Sequence, residues 1–340
     1  MLIVDDSLQV RVLLTRLLEE DPRIVVAGTA SDPYEAAHMI AGEVPDVITL
    51  DLEMPRMNGL TFLKKLMTQH PVPVVIVSSF TKERKELGLT ALALGASDIV
   101  TKPDLSGPDD IKSYGARLRD AVYAASMQNV FLHRISQKKI LPQRNHPPGK
   151  PTDTTRLILI GASTGGTELI SRILKSVRPD LPPVLIVQHM PGEFTNVFAK
   201  RLDAECELTV KEAEKNDRLL NGHVYIANGF YHLIVKKIAN DYVCDLNPGE
   251  PVNRHRPSVD VLFNSAAAFA ADHVMAILLT GMGNDGAKGL LELKLRGAVC
   301  IAQEEKSCAV YGMPREAVLL GAANHVGTPG KIIEWMNNFA

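Results

Sequence analysis

Short apolar segments alternate with helical patterns along the first 126 residues. Apolar positions between the segments recur at helical spacing, and the polar residues Ser7 and Ser31-Asp32-Pro33 are typical helix starts. A regular alternation of strands and helices predicts a parallel, doubly wound α/β sheet. Its five predicted strands are Leu2–Val4, Ile24–Val26, Val47–Leu50, Val74–Val77 and Ile99–Val100.

The alternation fails from about Met127 to Asp153, a polar, basic and proline-rich stretch that is typical of a connector. It resumes at Leu157, and a predicted antiparallel hairpin, Tyr231–Lys237 and Tyr242–Leu246, is joined through Asn240-Asp241. We therefore predict domains at residues 1–120 and 154–340, with a linker at residues 121–153. The other elements predicted for the second, mainly parallel domain are strands Leu157–Ile160, Val184–Val187, Val224–Ile226, Val274–Leu279 and Val299–Ala302, with helices Thr167–Ser176, Val259–Ala271 and Gly289–Arg296.

The composition is that of an ordinary globular protein and argues against several functional classes. The 340 residues are 46% hydrophobic and 22% charged, and their formal net charge of −2 gives no basic footprint for nucleic acid. The four cysteines show no CxxC spacing, and no apolar run approaches the length of a membrane span. We expect a cytoplasmic protein with reduced thiols, no nucleic-acid partner and no membrane insertion.

Polar residues follow four of the predicted strands in the first domain. Asp5 and Asp6 follow the first strand and Asp51 follows the third, while Ser78 and Lys102 follow the fourth and fifth. Because the carboxyl ends of parallel strands meet at one edge of a sheet, these side chains should converge. Clustered carboxylates need a counter-ion, and the hard cation Mg²⁺ meets that need. Asp51 could then attack phosphorus as a nucleophile.

These residues resemble the response-regulator receiver family. The resemblance covers roughly residues 1–120 and implies a flavodoxin-like fold in which Asp51 is the phospho-acceptor. It also implies that Asp5, Asp6, Asp51 and the backbone carbonyl of Glu53 hold Mg²⁺, and that Ser78 and Lys102 contact the phosphoryl group. The first strand is short for that family, so either the true start lies upstream or this edge of the core is weaker than usual. The matching motifs are Val4-Asp5-Asp6-Ser7, the segment Asp51–Gly59, Ser78-Ser79 and Thr101-Lys102-Pro103.

A second group of candidate residues follows strands in the second domain. The strand Leu157–Ile160 runs into Ser163 between glycines, and the strands before His189 and Asp285 end at the same rim of the sheet. This joint placement predicts a Ser–His–Asp centre in which His189 activates the Ser163 hydroxyl. A phosphate-cradling turn or a plain strand–helix loop remains the alternative for the glycine-flanked serine alone.

Other interpretations of the second domain also follow from the sequence. The Gly-x-Ser-x-Gly pattern of α/β-hydrolases requires the order serine, acid, histidine, which selects His325 in place of His189. Cys308 is a rival nucleophile. A response regulator with a non-catalytic output domain, such as a DNA-binding module, and a nucleotide-binding domain are functional alternatives, although no basic helix–turn–helix, Gly-x-Gly-x-x-Gly or Walker lysine is present.

Five motifs resemble the chemotaxis protein-glutamate methylesterase (CheB) family over nearly the whole chain. They are Gly161-Ala162-Ser163-Thr164-Gly165-Gly166-Thr167, Gln188-His189-Met190, the segment Asn253–Asp260, the segment Thr280–Gly286 and Gly312-Met313-Pro314-Arg315-Glu316-Ala317.

The resemblance implies a phosphorylation-controlled serine hydrolase with no cofactor in its second domain. Family members demethylate glutamyl methyl esters on chemoreceptors, many also deamidate glutamines there, and a chemotaxis histidine kinase supplies their phosphoryl group. We further expect the unphosphorylated first domain to restrict access to Ser163. The implied roles are nucleophile for Ser163, base for His189, orienting acid for Asp285, backbone oxyanion donors for Thr164 and Met282, and substrate rim for His255, Arg256 and Arg315.

Overall fold

The computed structural model of the protein describes residues 1–79, 82–102, 108–128, 156–238, 241–268 and 273–339. The chain forms two compact units, Met1–Ser136 and Gln137–Ala340. Each unit is an α/β domain with its own parallel sheet, so the predicted fold class is confirmed.

The first unit contains a five-stranded parallel sheet in the order β2-β1-β3-β4-β5. Its helix α1 begins after Ser7, whose hydroxyl accepts from the Val10 N–H, and packs Leu14, Leu17 and Leu18 into the core. The strands are β1 Leu2–Val4, β2 Gly28–Ala30, β3 Ile48–Leu50, β4 Val74–Ser78 and β5 Asp98–Thr101, and the helices are α1 Leu8–Leu18, α2 Pro33–Gly42, α3 Gly59–Gln69, α4 Lys82–Ala93 and α5 Pro108–Ser126.

The second predicted strand was wrong in position. Residues Ile24–Val26 are not part of the sheet, and β2 begins at Gly28, which pairs with Leu2. Val25 is 71% exposed, whereas Ile24 is buried in the core, so the three residues do not share one buried environment. Hydrophobicity alone therefore placed the strand ahead of its true start at Gly28, because the pairing with β1 decides the register.

Helix α5 continues through residue 120, the predicted domain boundary, and ends at Ser126. Residues 129–155, which contain most of the predicted linker, lie outside the described residues. The boundaries at 120 and 153 therefore stay predictions.

The second unit contains a seven-stranded parallel sheet in the order β14-β13-β12-β6-β7-β9-β8, with β10 and β11 forming the predicted antiparallel hairpin. Its central strands are completely buried, as helices on both faces require. The strands are β6 Leu157–Ala162, β7 Val184–Gln188, β8 Thr209–Glu212, β9 His223–Ile226, β10 His232–Ile238, β11 Asp241–Asn247, β12 Val274–Leu278, β13 Val299–Gln303 and β14 His325–Gly327.

Six helices accompany this sheet in the described part of the chain: α6 Gly166–Leu174, α7 Gly192–Glu205, α8 Val259–Ala267, α9 Ala287–Leu295, α10 Met313–Leu319 and α11 Pro329–Phe339. The end predicted for α8, at Ala271, falls on residues 269–272, which lie outside the described residues. The predictions did not include the edge strands β8 and β14 or helices α7, α10 and α11. Strands β6, β7 and β12 are sheet neighbours, so the chain segments that follow them emerge at one rim.

Candidate functional sites

The three carboxylates predicted for the first unit do converge. Asp5 and Asp6 follow β1, Asp51 follows β3, and one oxygen from each lies within 4.8 Å of the others. Asp5 and Asp51 are buried, whereas Asp6 is exposed. Three carboxylates this close, one of them open to solvent, form an acidic cluster typical of a magnesium site.

Lys102 lies at the same cluster, and Ser78 lies beside it, because the Ser78 carbonyl accepts from the Lys102 N–H at 2.8 Å. The Lys102 Nζ is 2.6 Å from carboxylate oxygens of both Asp5 and Asp51. Burial, together with the negative charge of Asp51, raises the pKa of Asp5 above its ordinary value despite the lysine. The Ser78 hydroxyl is buried and has no hydrogen-bond partner among the described residues, as a group kept for an incoming oxygen would be. Pro103, the last residue of the matching motif, lies outside them.

Ser163 lies on a sharp turn between β6 and α6. Its N–H donates to the Thr280 carbonyl at 3.0 Å, and its carbonyl accepts from the Gly166 N–H at 2.8 Å. Gly165 supplies the left-handed backbone of this turn, with a φ of 78°. Ser163 is 8% exposed, so the turn holds a nearly buried serine at the rim of the sheet.

His189 is the immediate neighbour of Ser163 across the sheet. Ala162 of β6 pairs with Gln188 of β7, so Ser163 and His189 are the next residues on adjacent strands, which lie about 4.8 Å apart. The Gln188 side-chain amide reinforces this alignment, since its Nε2 donates to the Ser163 carbonyl at 2.9 Å and to the His189 carbonyl at 3.2 Å. The predicted meeting of the serine and histidine segments is therefore found.

Asp285 completes the arrangement. Its Oδ2 is 2.9 Å from His189 Nε2, and both side chains are buried. The same carboxylate also accepts from Asn253 Nδ2, the Ser258 hydroxyl and the Val259 N–H, each at 2.7 Å, and from the Asp260 N–H at 3.3 Å. The last two amides begin helix α8, whose dipole favours a negative charge at this end.

Burial by itself would raise the pKa of Asp285, but the interactions with His189, Asn253 and Ser258 together outweigh it and hold that pKa below its ordinary value. Asp285 is therefore ionised wherever the imidazole is a useful base. A buried carboxylate with this many donors suits the orientation of a histidine ring better than proton transfer by the carboxylate itself.

The ring of His189 points its Nε2 at the acid, which leaves Nδ1 for the serine. Nδ1 is buried and has no hydrogen-bond partner in the part of the chain described. A bond from Ser163 Oγ to this nitrogen is thus not formed, although catalytic hydrogen bonds are often long without substrate. In chymotrypsin-type triads, by contrast, Nδ1 faces the aspartate and Nε2 faces the serine.

The backbone amides of Thr164 and Met282 are the predicted oxyanion donors. Within the described ranges, the N–H groups of Thr164 and Met282 donate to no backbone carbonyl. Thr280 ties their two segments together, because its hydroxyl bonds to the Thr164 carbonyl at 3.0 Å and its own carbonyl accepts from the Ser163 N–H. The two loops that carry these amides are therefore held against each other.

The three predicted rim residues differ in their placement. The His255 ring is stacked on His189, with centroids 3.8 Å apart and an interplanar angle of 11°. Arg256 is exposed and donates to the carbonyls of Pro248 and Gly249. Arg315 is exposed and pairs with Glu316 at 3.2 Å. His255 is thus placed at the centre itself, while the two arginines contact neighbouring surface groups.

The alternative nucleophile and base do not fit the geometry. His325 lies on edge strand β14, separated from β6 by β13 and β12, and its ring packs against Trp335. Burial and the nearby charges of Glu304 and Glu305 raise the pKa of Cys308 far above its ordinary value, which disfavours the thiolate that a nucleophile needs.

Three residues that contact the candidate site had no role in the sequence interpretation: Asn253, Ser258 and Gln188. Each lies in a segment that matched the family, but nothing in its local spacing indicates contact with Asp285 or with the turn of Ser163. The cap position of Ser258 before α8 was a usable signal, since a helix start binds anions.

Comparisons with known proteins match both units of the chain. Residues 158–336 match the family model described as CheB methylesterase, and residues 1–112 match the response regulator receiver domain. The chain belongs to the CheB methylesterase family.

Two relatives of known name align with almost the whole chain. A protein-glutamate methylesterase/protein-glutamine glutaminase of group 3 operon from Rhodopseudomonas palustris is 47% identical over 98% of this chain and 95% of its own length. Protein-glutamate methylesterase/protein-glutamine glutaminase 3 from Burkholderia lata is 48% identical over 96% of this chain and 91% of its own length. The crystal structure of the Thermotoga maritima CheB methylesterase catalytic domain covers 54% of this chain and 98% of its own, with 38% identity and a TM-score of 0.53.

Among the described residues, no helix combines the length and the apolar character needed to cross a membrane.

Proposed function

We propose that this CheB family member is a protein-glutamate methylesterase and protein-glutamine glutaminase that uses Ser163, His189 and Asp285. The observation that carries the proposal is the pair formed by His189 Nε2 and Asp285 Oδ2 at 2.9 Å, directly beside the turn that holds Ser163. The names of its relatives support the substrate class.

In the proposed reaction the Ser163 oxygen attacks the side-chain carbonyl carbon of a glutamyl methyl ester. Nδ1 of His189 takes the serine proton, and Asp285 stabilises the imidazolium that results. The tetrahedral intermediate places its negative oxygen toward the N–H groups of Thr164 and Met282, and one such donor is typically worth about 10²- to 10³-fold in rate.

Collapse of the intermediate breaks the bond to the leaving group, which takes the proton from His189 and departs as methanol, or as ammonia from glutamine. Water then attacks the acyl-serine, His189 again accepts the proton, and glutamate is released as Ser163 regains its hydrogen. This cycle needs no cofactor in the second unit.

The first unit is proposed to be the phosphorylation switch. Asp5, Asp6 and Asp51, with the Glu53 carbonyl, would hold Mg²⁺, which supplies charge neutralisation for phosphoryl transfer when bound. Asp51 would accept the phosphoryl group, and Ser78 and Lys102 would contact its oxygens. The cluster of three carboxylates around one lysine and a buried, unpartnered serine hydroxyl supports these roles.

The proposed partners follow from the same family membership. The cytoplasmic helices of chemoreceptors would supply the methylated glutamates, and a chemotaxis histidine kinase would supply the phosphoryl group. We propose that the unphosphorylated first unit restricts access to Ser163 and that the charge added at Asp51 relieves this restriction. His255, Arg256 and Arg315 are the proposed substrate rim.

The decisive measurement is methanol release from methylated receptor, with and without acetyl phosphate. We expect acetyl phosphate to raise the rate in the full chain and to leave the rate of Asp51→Asn unchanged. A fluorophosphonate probe should label the wild-type protein and fail to label Ser163→Ala. A folded protein that releases no methanol and takes up no probe would refute the hydrolase and favour a non-catalytic output domain.

The restriction of access has its own test. Residues 152–340 alone should release methanol faster than the unphosphorylated full chain. If the shorter chain is no faster, the first unit does not act by covering the site.

A further inference from the structure

Ser258 connects Asp285 to a second buried histidine. The Ser258 hydroxyl donates to Asp285 Oδ1 at 2.7 Å, while its backbone N–H donates to His232 Nδ1 at 3.1 Å. Ser258 is 0% exposed and His232 is 1% exposed. Because Ser258 is completely buried and already uses its hydroxyl proton on Asp285, it is not placed to attack a substrate.

The partners of His232 determine its protonation state. A backbone N–H can only donate, so Nδ1 must be the acceptor for Ser258. The carbonyl of Glu250 lies 2.9 Å from Nε2 and can only accept, so Nε2 must carry the proton. Only the neutral ring with its proton on Nε2 satisfies both contacts, and it holds the start of α8 against strand β10.

We propose that Ser258, held in place by His232, is a positioning residue that sets the orientation and basicity of Asp285. The inference rests on the proposed hydrolase function. The hairpin β10–β11, which carries His232, would then help to align Asp285.

The two oxygens of Asp285 have separate tasks in this arrangement. Oδ2 faces His189, whereas Oδ1 accepts from Ser258 and Asn253. A donor on Oδ1 fixes the plane of the carboxylate and draws negative charge away from Oδ2. Without that donor the carboxylate should rotate more freely, and Oδ2 should hold the His189 proton more strongly.

The test compares Ser258→Ala with Ser265→Ala in the full-length protein. Ser265 is a matched control, because it lies on α8, the helix that Ser258 precedes, and its hydroxyl contacts the hairpin rather than Asp285, accepting from the Val235 N–H at 3.0 Å. For Ser258→Ala we expect kcat for methanol release to fall about 10-fold, with KM within about twofold of wild type. Ser265→Ala should lose stability without this change in kcat.

The pH profile separates positioning from a structural role. Activity requires neutral His189, so a more basic Asp285 should move the acidic limb of kcat/KM to higher pH by several tenths of a unit in Ser258→Ala only. Among the described residues, the titratable groups beside Asp285 and His189 include Asp260, at the start of α8, and His255, which stacks on His189. Both remain in each variant.

His232→Gln provides a second measurement if Ser258→Ala folds poorly, since it keeps the serine hydroxyl but alters its support. It should shift kcat and the acidic limb in the same direction by a smaller amount. The inference would be overturned if kcat and the acidic limb of kcat/KM were the same in Ser258→Ala, His232→Gln and Ser265→Ala. That result is distinct from failure of the proposed function, in which the wild-type protein itself releases no methanol and its Ser163 is not labelled.

Discussion

The two units place aspartates at the same position in their sheets and surround them differently. In the first unit, Asp5 and Asp51 share one lysine at 2.6 Å, and burial and mutual repulsion raise the pKa of Asp5. In the second unit, Asp285 accepts hydrogen bonds from three side chains and two amides, and its pKa is lowered despite burial.

This difference shows how one position in an α/β sheet supports two chemistries. A carboxylate that must bind a cation or attack phosphorus needs free oxygen lone pairs and some uncompensated negative charge. A carboxylate that must orient an imidazole needs a fixed plane and a charge that persists at working pH. The surrounding donors, rather than the strand end itself, decide which of these roles an aspartate can take.

The largest effect on hydrolysis should come from removing the negative charge of Asp285. In Asp285→Asn the amide can no longer stabilise the imidazolium, and it favours the wrong tautomer of His189, so kcat should fall about 10³- to 10⁴-fold. Methanol release from methylated receptor measures this. Asp245→Asn is the control, because Asp245 is also buried in this unit but pairs with Lys236 on the hairpin. A comparable loss in that control would mean that any buried aspartate in this unit is equally sensitive.

A smaller effect should follow from crowding the reactive residue of each unit. A Cβ on Gly281 would lie 2.7 Å from the Ser163 Cβ, and one on Gly59 would collide with the Asp51 carbonyl oxygen. We expect Gly281→Ala to lower kcat for hydrolysis about 10- to 100-fold, because small displacements at a reacting atom are costly. Gly59→Ala should instead lower the level of phosphorylation by acetyl phosphate.

Gly330→Ala and Gly42→Ala are the matched controls for this pair. A Cβ on Gly330 would have no neighbour closer than 3.8 Å, and one on Gly42 would meet nothing within 4 Å. Both variants should keep wild-type hydrolysis and phosphorylation. If Gly281→Ala alters phosphorylation as strongly as hydrolysis, the two sites are not separate in the way the comparison requires.

Strand ends were the part of both sites that the sequence could predict. Ser163, His189 and Asp285 each follow an apolar strand, as do Asp5 and Asp51, and parallel strands must end together. The donors to Asp285 could not be predicted in this way. Asn253 and Ser258 reach the carboxylate through a loop and a helix start, and only the packing of α8 against the sheet determines which oxygen each contacts.

The error at β2 has a related cause. The sequence Ile24–Val26 is more apolar than Gly28–Ala30, yet the less apolar segment forms the strand because it pairs with β1. Local hydrophobicity predicts that a strand exists, whereas partners distant in the chain fix its register. The ring orientation of His189 likewise could not be predicted from the local sequence, because it depends on where Asp285 lies.

The smallest effect should come from Cys308, a half-buried thiol that extends the comparison to an acid other than a carboxylate. Its thiol lies near Glu304 and Glu305, whose charges add to the effect of burial and raise its pKa far above the ordinary value. A thiol held in the neutral form neither attacks an ester nor reacts quickly with alkylating agents. Cys308→Ser should therefore keep kcat within about twofold of wild type. Iodoacetamide at neutral pH should leave methanol release intact. Rapid inactivation that the Cys308→Ser change prevents would show that the thiol ionises readily. That result would contradict the view that the hydrogen-bond donors around Asp285 are what keep an acid in this unit charged.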